Sequence, residues 1–166
     1  MSGVLVIVLL VGLLRISEVV YARRNTRALR ARGGIEIGGG HYPLFFLLHG
    51  SWLFAIFWVV PSDTAIRWGW LALFFLLQLG RLWVIASLGP YWTTRVITMP
   101  GEPLVRRGPY RFLRHPNYLV VAVEIAALPL VFGAWQLSLI FSLLNGALLA
   151  WRIRIEDQAL ASRRSP

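Results

Sequence analysis

The stretch RRGPYRFLRHPNYL, residues 106–119, decides how the rest of the chain is interpreted. It places four arginines, one histidine and two prolines within fourteen residues, and apolar sequence follows it. A segment that crosses the hydrocarbon core carries few charges, and a simple connecting loop does not need this mixture of residue types. The stretch therefore predicts a binding site for a charged cofactor at the edge of a bilayer.

The composition around this stretch is typical of a membrane protein. Of the 166 residues, 57% are hydrophobic, and the mean hydropathy of +0.64 is far above that of a soluble domain. The length predicts a single domain over residues 1–166. Segments long enough to span a bilayer are 2–22, 43–60, 68–88, 117–133 and 135–151. They predict an all-α, polytopic integral membrane helical bundle of about five transmembrane helices.

The charges predict the orientation of these helices. The net charge is +10, and all 17 basic residues are arginine. A basic excess often indicates nucleic acid, but these arginines lie in blocks between apolar runs, as in cytoplasmic loops, so we expect no nucleic-acid partner. The basic blocks are loop 23–42, which begins as probable helix, loop 89–116, and a tail that contains Arg163 and Arg164. They place the N-terminus outside and the C-terminus in the cytoplasm.

Cysteine and histidine usage excludes several kinds of chemistry. There is no cysteine, so disulfides and thiolate catalysis are excluded. The three histidines form no HExxH pair, so we predict no metal site.

The last two spans are predicted to form a helical hairpin that turns at Gly133. His115 lies 19 residues before Ala134, and Ile153 lies 19 residues after it, so equal rise per residue puts both at one depth. Glu156 and Asp157 follow about one turn later. The hairpin therefore brings residues 114–118 and 152–157 to the same cytoplasmic edge.

This edge is predicted to bind a zwitterion. Pro116 suits the first position of a helix, and His115 before it is biased away from helical backbone. The free N–H groups of the helix start favour an anion, and nearby arginines strengthen that preference. Glu156 and Asp157 supply the opposite charge. S-adenosylmethionine (SAM) carries a carboxylate, an ammonium and a sulfonium and would fit, although these features do not separate it from other zwitterions.

The same residues resemble the signature of the isoprenylcysteine carboxyl methyltransferase family of integral membrane enzymes. That family shows a GxYxxxRHPxY stretch and, after an apolar hairpin, an arginine-rich motif with two acidic residues. The matching positions are Gly108, Tyr110, Arg114, His115, Pro116 and Tyr118 in the first motif, and Arg152, Arg154, Glu156 and Asp157 in the second. Asp157 stands where the family usually has glutamate.

The resemblance implies SAM as methyl donor, S-adenosylhomocysteine as product, a cofactor site covered by the hairpin, and a lipophilic acceptor that enters from the bilayer. The implied cofactor-binding residues are Gly108, Tyr110, Arg114, His115, Pro116, Asn117, Tyr118, Arg154, Glu156 and Asp157. The implied catalytic residues are Arg81, Arg152 and Glu156. Methyl transfer itself requires no metal.

The N-terminal half is similar to a bacterial branch of this family, through residues 15–43 and 81–111. That branch O-methylates alkylresorcinols and alkylpyrones, which are long-chain phenolic or enolic polyketide lipids. It implies a SAM-dependent O-methyltransferase of a bacterial inner membrane, with a cytoplasmic active site. Alternatives are carboxyl methylation of a prenylated cysteine, N-methylation of a lipid amine, a membrane reductase, and a non-catalytic membrane protein.

Charged and aromatic residues near the inner ends of the spans are predicted to bind the acceptor. Arg81 lies close to the inner end of span three, where a buried charge is costly and usually has a use. Trp92 and Glu124 are the other acceptor-binding candidates. Arg15 and Glu18 lie three residues apart on one helical face and are predicted to pair with each other.

Overall fold

The structure is a computed structural model that describes residues 2–161, apart from the side chain of His41. Arg163 and Arg164 of the basic tail lie outside the described residues. The helices are α1 (Gly3–Ala31), α2 (Tyr42–Val59), α3 (Trp68–Leu88), α4 (Pro116–Val131) and α5 (Trp135–Leu160). The prediction of an all-α, polytopic membrane bundle is confirmed.

Four of these helices, α1, α2, α3 and α5, are long and apolar enough to cross a membrane. The fifth, α4, has 16 residues and a length of about 24 Å, less than the hydrocarbon thickness of about 30 Å. It packs against both α3 and α5. Ile125, Leu128 and Val131 of α4 are at most 1% exposed. This short helix therefore forms the centre of the bundle.

The outer surface of the bundle is apolar, as a bilayer requires. Leu13 of α1, Phe54 of α2 and Leu143 of α5 are each more than 60% exposed. A soluble monomer rarely exposes apolar surface on this scale. The exposed side chains therefore face lipid.

Helices α1 and α5 both continue beyond the apolar segments that predicted them. The residues after position 22 of α1 are polar but still favour a helix, so the helix ends only before Gly33, whose φ is 89°. Asn25 fixes this extension, because its Nδ2 donates to the carbonyls of Gly89 at 3.1 Å and Trp92 at 2.8 Å. The extensions carry polar residues beyond the apolar segments, and α1 thereby contacts the loop after α3.

The loop between α1 and α2 and the loop between α3 and α4 are joined by a short antiparallel strand pair that the sequence did not predict. β1 (Ile35–Glu36) pairs with β2 (Ile97–Thr98), with Ile35 opposite Thr98. Two-residue strands carry no periodic signal, so periodicity could not identify them.

The turn between α4 and α5 lies where the sequence placed it. Gly133 has a φ of 71°, a backbone conformation that favours glycine. A Cβ atom here would lie 2.7 Å from a guanidinium nitrogen of Arg67, so the turn is also closely packed.

Candidate functional site

The α4–α5 hairpin brings its two polar ends into contact at one edge of the bundle. His115 Nε2 lies 3.1 Å from Asp157 Oδ1, and His115 Nδ1 lies 3.7 Å from Glu156 Oε1. His115 has non-helical backbone (φ −129°, ψ 58°), and Pro116 begins α4. The prediction that these two segments face one edge is confirmed.

Tyr118, one turn into α4, connects the acidic and basic groups of α5. Its hydroxyl donates to the carboxylate of Glu156 and accepts from Arg152 Nε at 2.8 Å. The ring of His115 stacks on the Tyr118 ring with a centroid distance of 5.2 Å. Arg152 Nη1 also donates to the carbonyl of Thr94 at 2.8 Å. Arg152 is only 8% exposed, and these hydrogen bonds hold its guanidinium group in one position.

A polar cavity of about 390 Å³ lies beside these groups. Its walls come from the loop after α3, the start of α4 and the last turns of α1 and α5. The predicted site residues that line it are Trp92, Tyr110, Arg114, His115, Asn117, Tyr118, Arg152 and Glu156. The volume is within the range of small-molecule sites.

Four predicted cofactor residues lie near this cavity without lining it. Gly108 begins a short 3-10 helix (Gly108–Arg111) with a φ of 56°. Pro116 is buried at the start of α4, Arg154 is exposed, and Asp157 contacts His115. Their roles in cofactor binding stay predictions. Gly108, Pro116 and Asp157 each lie next to residues that line the cavity.

The cavity contains groups suited to a zwitterion such as SAM. The Oδ1 atom of Asn117 is buried and has no hydrogen-bond partner among residues 2–161. Buried polar atoms are normally hydrogen-bonded, so such an orphan marks a place for a ligand donor. Glu156 offers a carboxylate to a cationic group, and Arg114 offers a guanidinium to a carboxylate. The residues present therefore fit the cofactor.

Tyr110 can serve this cavity as a hydrogen-bond donor. Its pKa is raised, first by burial and second by the negative charge of Glu156. Tyr110 therefore keeps its proton at neutral pH.

The described part of the chain, residues 2–161, contains no group of three or more His, Cys, Asp or Glu side chains that could hold a metal ion.

A second cavity, a lateral groove of about 450 Å³, lies between α1 and α2. Its lining includes Ile16 and Val20 of α1 and Phe46 of α2, each more than 60% exposed at the surface that faces lipid. The groove therefore opens sideways into the membrane. His49 and Arg81 lie in its wall as polar groups.

The polar cavity and the lateral groove meet. The residues that line both are Trp92, Thr93, Asn117, Tyr118 and Arg152. We call these five residues the junction. A polar ligand in the cavity and a lipophilic one in the groove would approach each other there.

In the wall of the groove and behind it, four charged side chains and one amide connect α1, α3 and α4. Arg81 donates to both carboxylate oxygens of Glu18 at 2.8 Å and to Glu124 at 3.0 Å. Arg15 pairs with Glu18 at 3.1 Å, as predicted, and lies 3.4 Å from Glu124. Gln78 donates to Glu124 at 2.8 Å. Arg81 lines the groove, whereas Glu124 lies behind it; their roles in acceptor binding stay predictions.

Sequence reasoning missed two residues of these walls. Thr93 follows Trp92 in the junction, and His49 lies in the middle of an apolar segment. Neither belongs to a motif. A lone histidine in an apolar span was the one signal that could have identified His49, because polar residues at membrane depth usually have a function.

The fold and the two meeting cavities define an integral membrane protein with adjoining polar and lipid-facing binding sites. The isoprenylcysteine carboxyl methyltransferase (ICMT) family matches residues 70–162, and this chain belongs to that family. It is therefore a membrane methyltransferase.

Two uncharacterized proteins are similar to this chain over most of its length. The uncharacterized protein YpbQ of Bacillus subtilis is 38% identical over 150 residues, which cover 88% of this chain and 89% of that protein. An uncharacterized protein of Haemophilus influenzae is 25% identical over 146 residues, 83% of each chain. No solved structure matches the chain significantly.

Proposed function

We propose that this protein is a SAM-dependent methyltransferase that methylates an oxygen of a lipophilic acceptor dissolved in the bilayer, a phenolic or enolic polyketide lipid. The observation that carries the proposal is the junction, where a polar cavity meets a groove open to lipid. A polar methyl donor and an oily acceptor need such an arrangement, because the reacting atoms must come to about 3 Å from each other.

The polar cavity is the proposed SAM site. When bound, SAM supplies a methyl carbon made electrophilic by the sulfonium, and the C–S electron pair leaves with sulfur as S-adenosylhomocysteine forms. Glu156 and Asp157 attract its cationic groups, and Arg114 attracts its carboxylate. Asn117 Oδ1, which has no other partner in the described part of the chain, accepts a hydrogen bond from the ligand. Tyr110, which also lines this cavity, is a further hydrogen-bond donor.

Arg152 is the proposed catalytic group at the junction. Its Nε and Nη1 are occupied by Tyr118 and the Thr94 carbonyl, so its position is fixed before any ligand binds. A fixed positive charge favours the anionic form of an acceptor oxygen. Arg152 also lines the groove, and its charge can therefore act on an acceptor there.

The lateral groove is the proposed acceptor site. Its apolar walls suit an alkyl chain, and its opening toward lipid lets the acceptor enter without crossing water. The basic loops support the proposal that the junction lies on the cytoplasmic side, with the N-terminus outside, and a bacterial inner membrane is the proposed location.

The rival acceptors would use the same groove. A prenylated cysteine presents a carboxylate that is already ionised and needs no base, and a lipid amine presents nitrogen instead of oxygen. The phenolic or enolic acceptor is favoured by the similarity of residues 15–43 and 81–111 to the bacterial branch.

The test uses purified protein in lipid nanodiscs with SAM labelled in its methyl group. An alkylresorcinol, an alkylpyrone, farnesylcysteine and phosphatidylethanolamine are offered in parallel, and label is followed into the organic phase. We expect label in the alkylresorcinol or alkylpyrone. Label only in farnesylcysteine or phosphatidylethanolamine would overturn the proposed acceptor and keep the enzyme class.

A pair of variants tests the cofactor site separately. Glu156→Gln removes the carboxylate that faces the cavity, and we expect loss of S-adenosylhomocysteine binding in calorimetry. Asp63→Asn, in the loop between α2 and α3, is the matched control and should bind normally. Normal binding by Glu156→Gln would show that the cofactor lies elsewhere.

A further inference from the structure

We propose that His49 is the general base that takes the proton from the acceptor hydroxyl in the lateral groove. This inference rests on the proposed function, since a phenolic or enolic acceptor must lose a proton when its oxygen is methylated. His49 belongs to neither family motif.

The hydrogen bonding of the imidazole ring defines which nitrogen can act as the base. His49 Nδ1 lies 2.8 Å from the backbone oxygen of Phe45, one turn earlier on α2. A carbonyl oxygen only accepts, so Nδ1 carries the hydrogen. In the neutral ring, Nε2 then has a free lone pair. Nε2 has no hydrogen-bond partner among residues 2–161, and His49 lines the groove.

The position of His49 suits an acceptor that also reaches the junction. The ring of Phe45 lies 5.3 Å from the guanidinium carbon of Arg152. His49 follows Phe45 by four residues, a rise of about 6 Å along α2. An acceptor ring in the groove can therefore contact Arg152 with one edge and reach His49 directly or through one water, as general base catalysis requires.

The other groups that could accept a proton in the groove wall already have partners. Charged groups that face His49 are Arg15 and Glu18 on α1 and Arg81 on α3. Both carboxylate oxygens of Glu18 accept hydrogen bonds from Arg81. The hydroxyl of Tyr118 on α4 accepts a hydrogen bond from Arg152 on α5. A lone pair on His49 Nε2 is thus available where these groups are occupied.

In the proposed step, the acceptor hydroxyl transfers its proton to His49. The acceptor O–H bond breaks, its electron pair stays on oxygen, and the proton binds to Nε2 to give an imidazolium. The oxygen uses an electron pair for the new bond to the methyl carbon. The imidazolium then returns its proton to water, so that one proton is released for each methyl group transferred.

The test uses an alkylated nitrophenol, whose phenolate form absorbs at longer wavelength, in nanodiscs that contain the protein without SAM. We expect the wild-type protein to ionise the bound probe at lower pH than protein-free nanodiscs do. His49→Gln should lose part of this shift, because Arg152 still favours the anionic probe, and should keep S-adenosylhomocysteine binding, which reports an intact fold. Ser51→Ala, exposed on the same helix and outside the groove lining, is the control and should retain the shift.

Turnover gives the second readout. His49→Gln should methylate an alkylresorcinol about 100-fold or more slowly, the usual contribution of a general base, and a nitrophenol ionised before binding should lose much less. Equal losses for both acceptors, or an unchanged probe spectrum in His49→Gln, would overturn the role of His49 and leave the proposed function standing. Failure of the wild-type protein to methylate any phenolic or enolic lipid would overturn the proposed function and this inference with it.

Discussion

Arg152 Nε donates to the phenolic oxygen of Tyr118 at 2.8 Å, and both side chains lie in the wall that the polar cavity shares with the groove. Because the Tyr118 hydroxyl also donates to Glu156, a continuous set of hydrogen bonds links the proposed acceptor side to the proposed cofactor side. The relative position of the guanidinium and the carboxylate is thereby fixed by one phenol. Preorganised groups of this kind do not need to rearrange during reaction.

Tyr118→Phe tests this link. The change leaves Arg152 and Glu156 each without one hydrogen bond, and a hydrogen bond to a charged group contributes about 1.5–3 kcal/mol. We expect S-adenosylhomocysteine affinity to fall by roughly 10-fold to 100-fold in calorimetry. Tyr21→Phe is the control, because Tyr21 contacts the site through its ring, stacked 6.0 Å from Trp92. Equal affinities of Tyr118→Phe and wild type would show that the phenol is not needed.

Arg81→Met tests the buried charges that connect three helices. It leaves Glu18 and Glu124 with only part of their pairing, and removing one partner of a buried ion pair costs about 3–5 kcal/mol. We expect a clear loss of thermal stability, measured by tryptophan fluorescence in nanodiscs, with S-adenosylhomocysteine affinity retained. Arg24→Met, at an exposed position of α1, should change stability little. If the two variants melted alike, Arg81 would have no structural role.

The helices and the meeting of the hairpin ends could be predicted because both depend on local information. Apolar runs locate the spans, and equal rise along two antiparallel helices is enough to bring His115 to within about one turn of Asp157. The lengths of α1 and α5 could not be predicted from hydropathy, since a helix can continue into water where apolar sequence stops. The polar stretches that follow the apolar segments remain helical, so α1 ends at Ala31 and α5 ends at Leu160.

The groove and its polar wall could not be predicted for a different reason. Arg15 and Glu18 are neighbours on one helix, so their pairing follows from spacing alone. Their contacts with Arg81 and Glu124 depend on how α1, α3 and α4 are arranged, which the sequence of one helix does not contain. For the same reason, the sequence of α2 alone could not show that His49 lines the groove.

Gly108→Ala tests why glycine begins the 3-10 helix that carries Tyr110. The backbone has a φ of 56°, and an added Cβ would lie 2.1 Å from Ser87 Oγ. Because Ser87 belongs to α3 and is buried, its side chain has little room to move aside, and the loop must shift. We expect S-adenosylhomocysteine binding to weaken at least about 10-fold, since a shift of Tyr110 costs a donor worth about 1.4 kcal/mol.

The control for this change is Gly146→Ala. A Cβ on Gly146 in the interior of α5 would meet no atom within 4 Å. Alanine favours a helix over glycine by about 0.5–1 kcal/mol, so this variant should bind normally and melt at the same or a higher temperature. Normal binding by Gly108→Ala as well would mean that the turn tolerates a side chain and that glycine has no special role there.

The loop between α1 and α2 should respond to acid through Glu36. Burial alone would raise the pKa of this carboxyl, but hydrogen bonds from Arg95 and Arg30 lower it below its ordinary value of 4.5. A lowered pKa in the folded state means that the contribution to stability is present above pH 4.5 and is lost as pH falls through the folded value. The chain has no cysteine, so Gly40→Cys gives a single site for a spin label. We expect the label to gain mobility only as the pH drops below 4.5, and a Glu36→Gln background should show a mobile label with no such transition. A label with the same mobility from about pH 3 to pH 6 in the Gly40→Cys protein would contradict the role of Glu36, because its ion pairs with Arg95 and Arg30 depend on its negative charge.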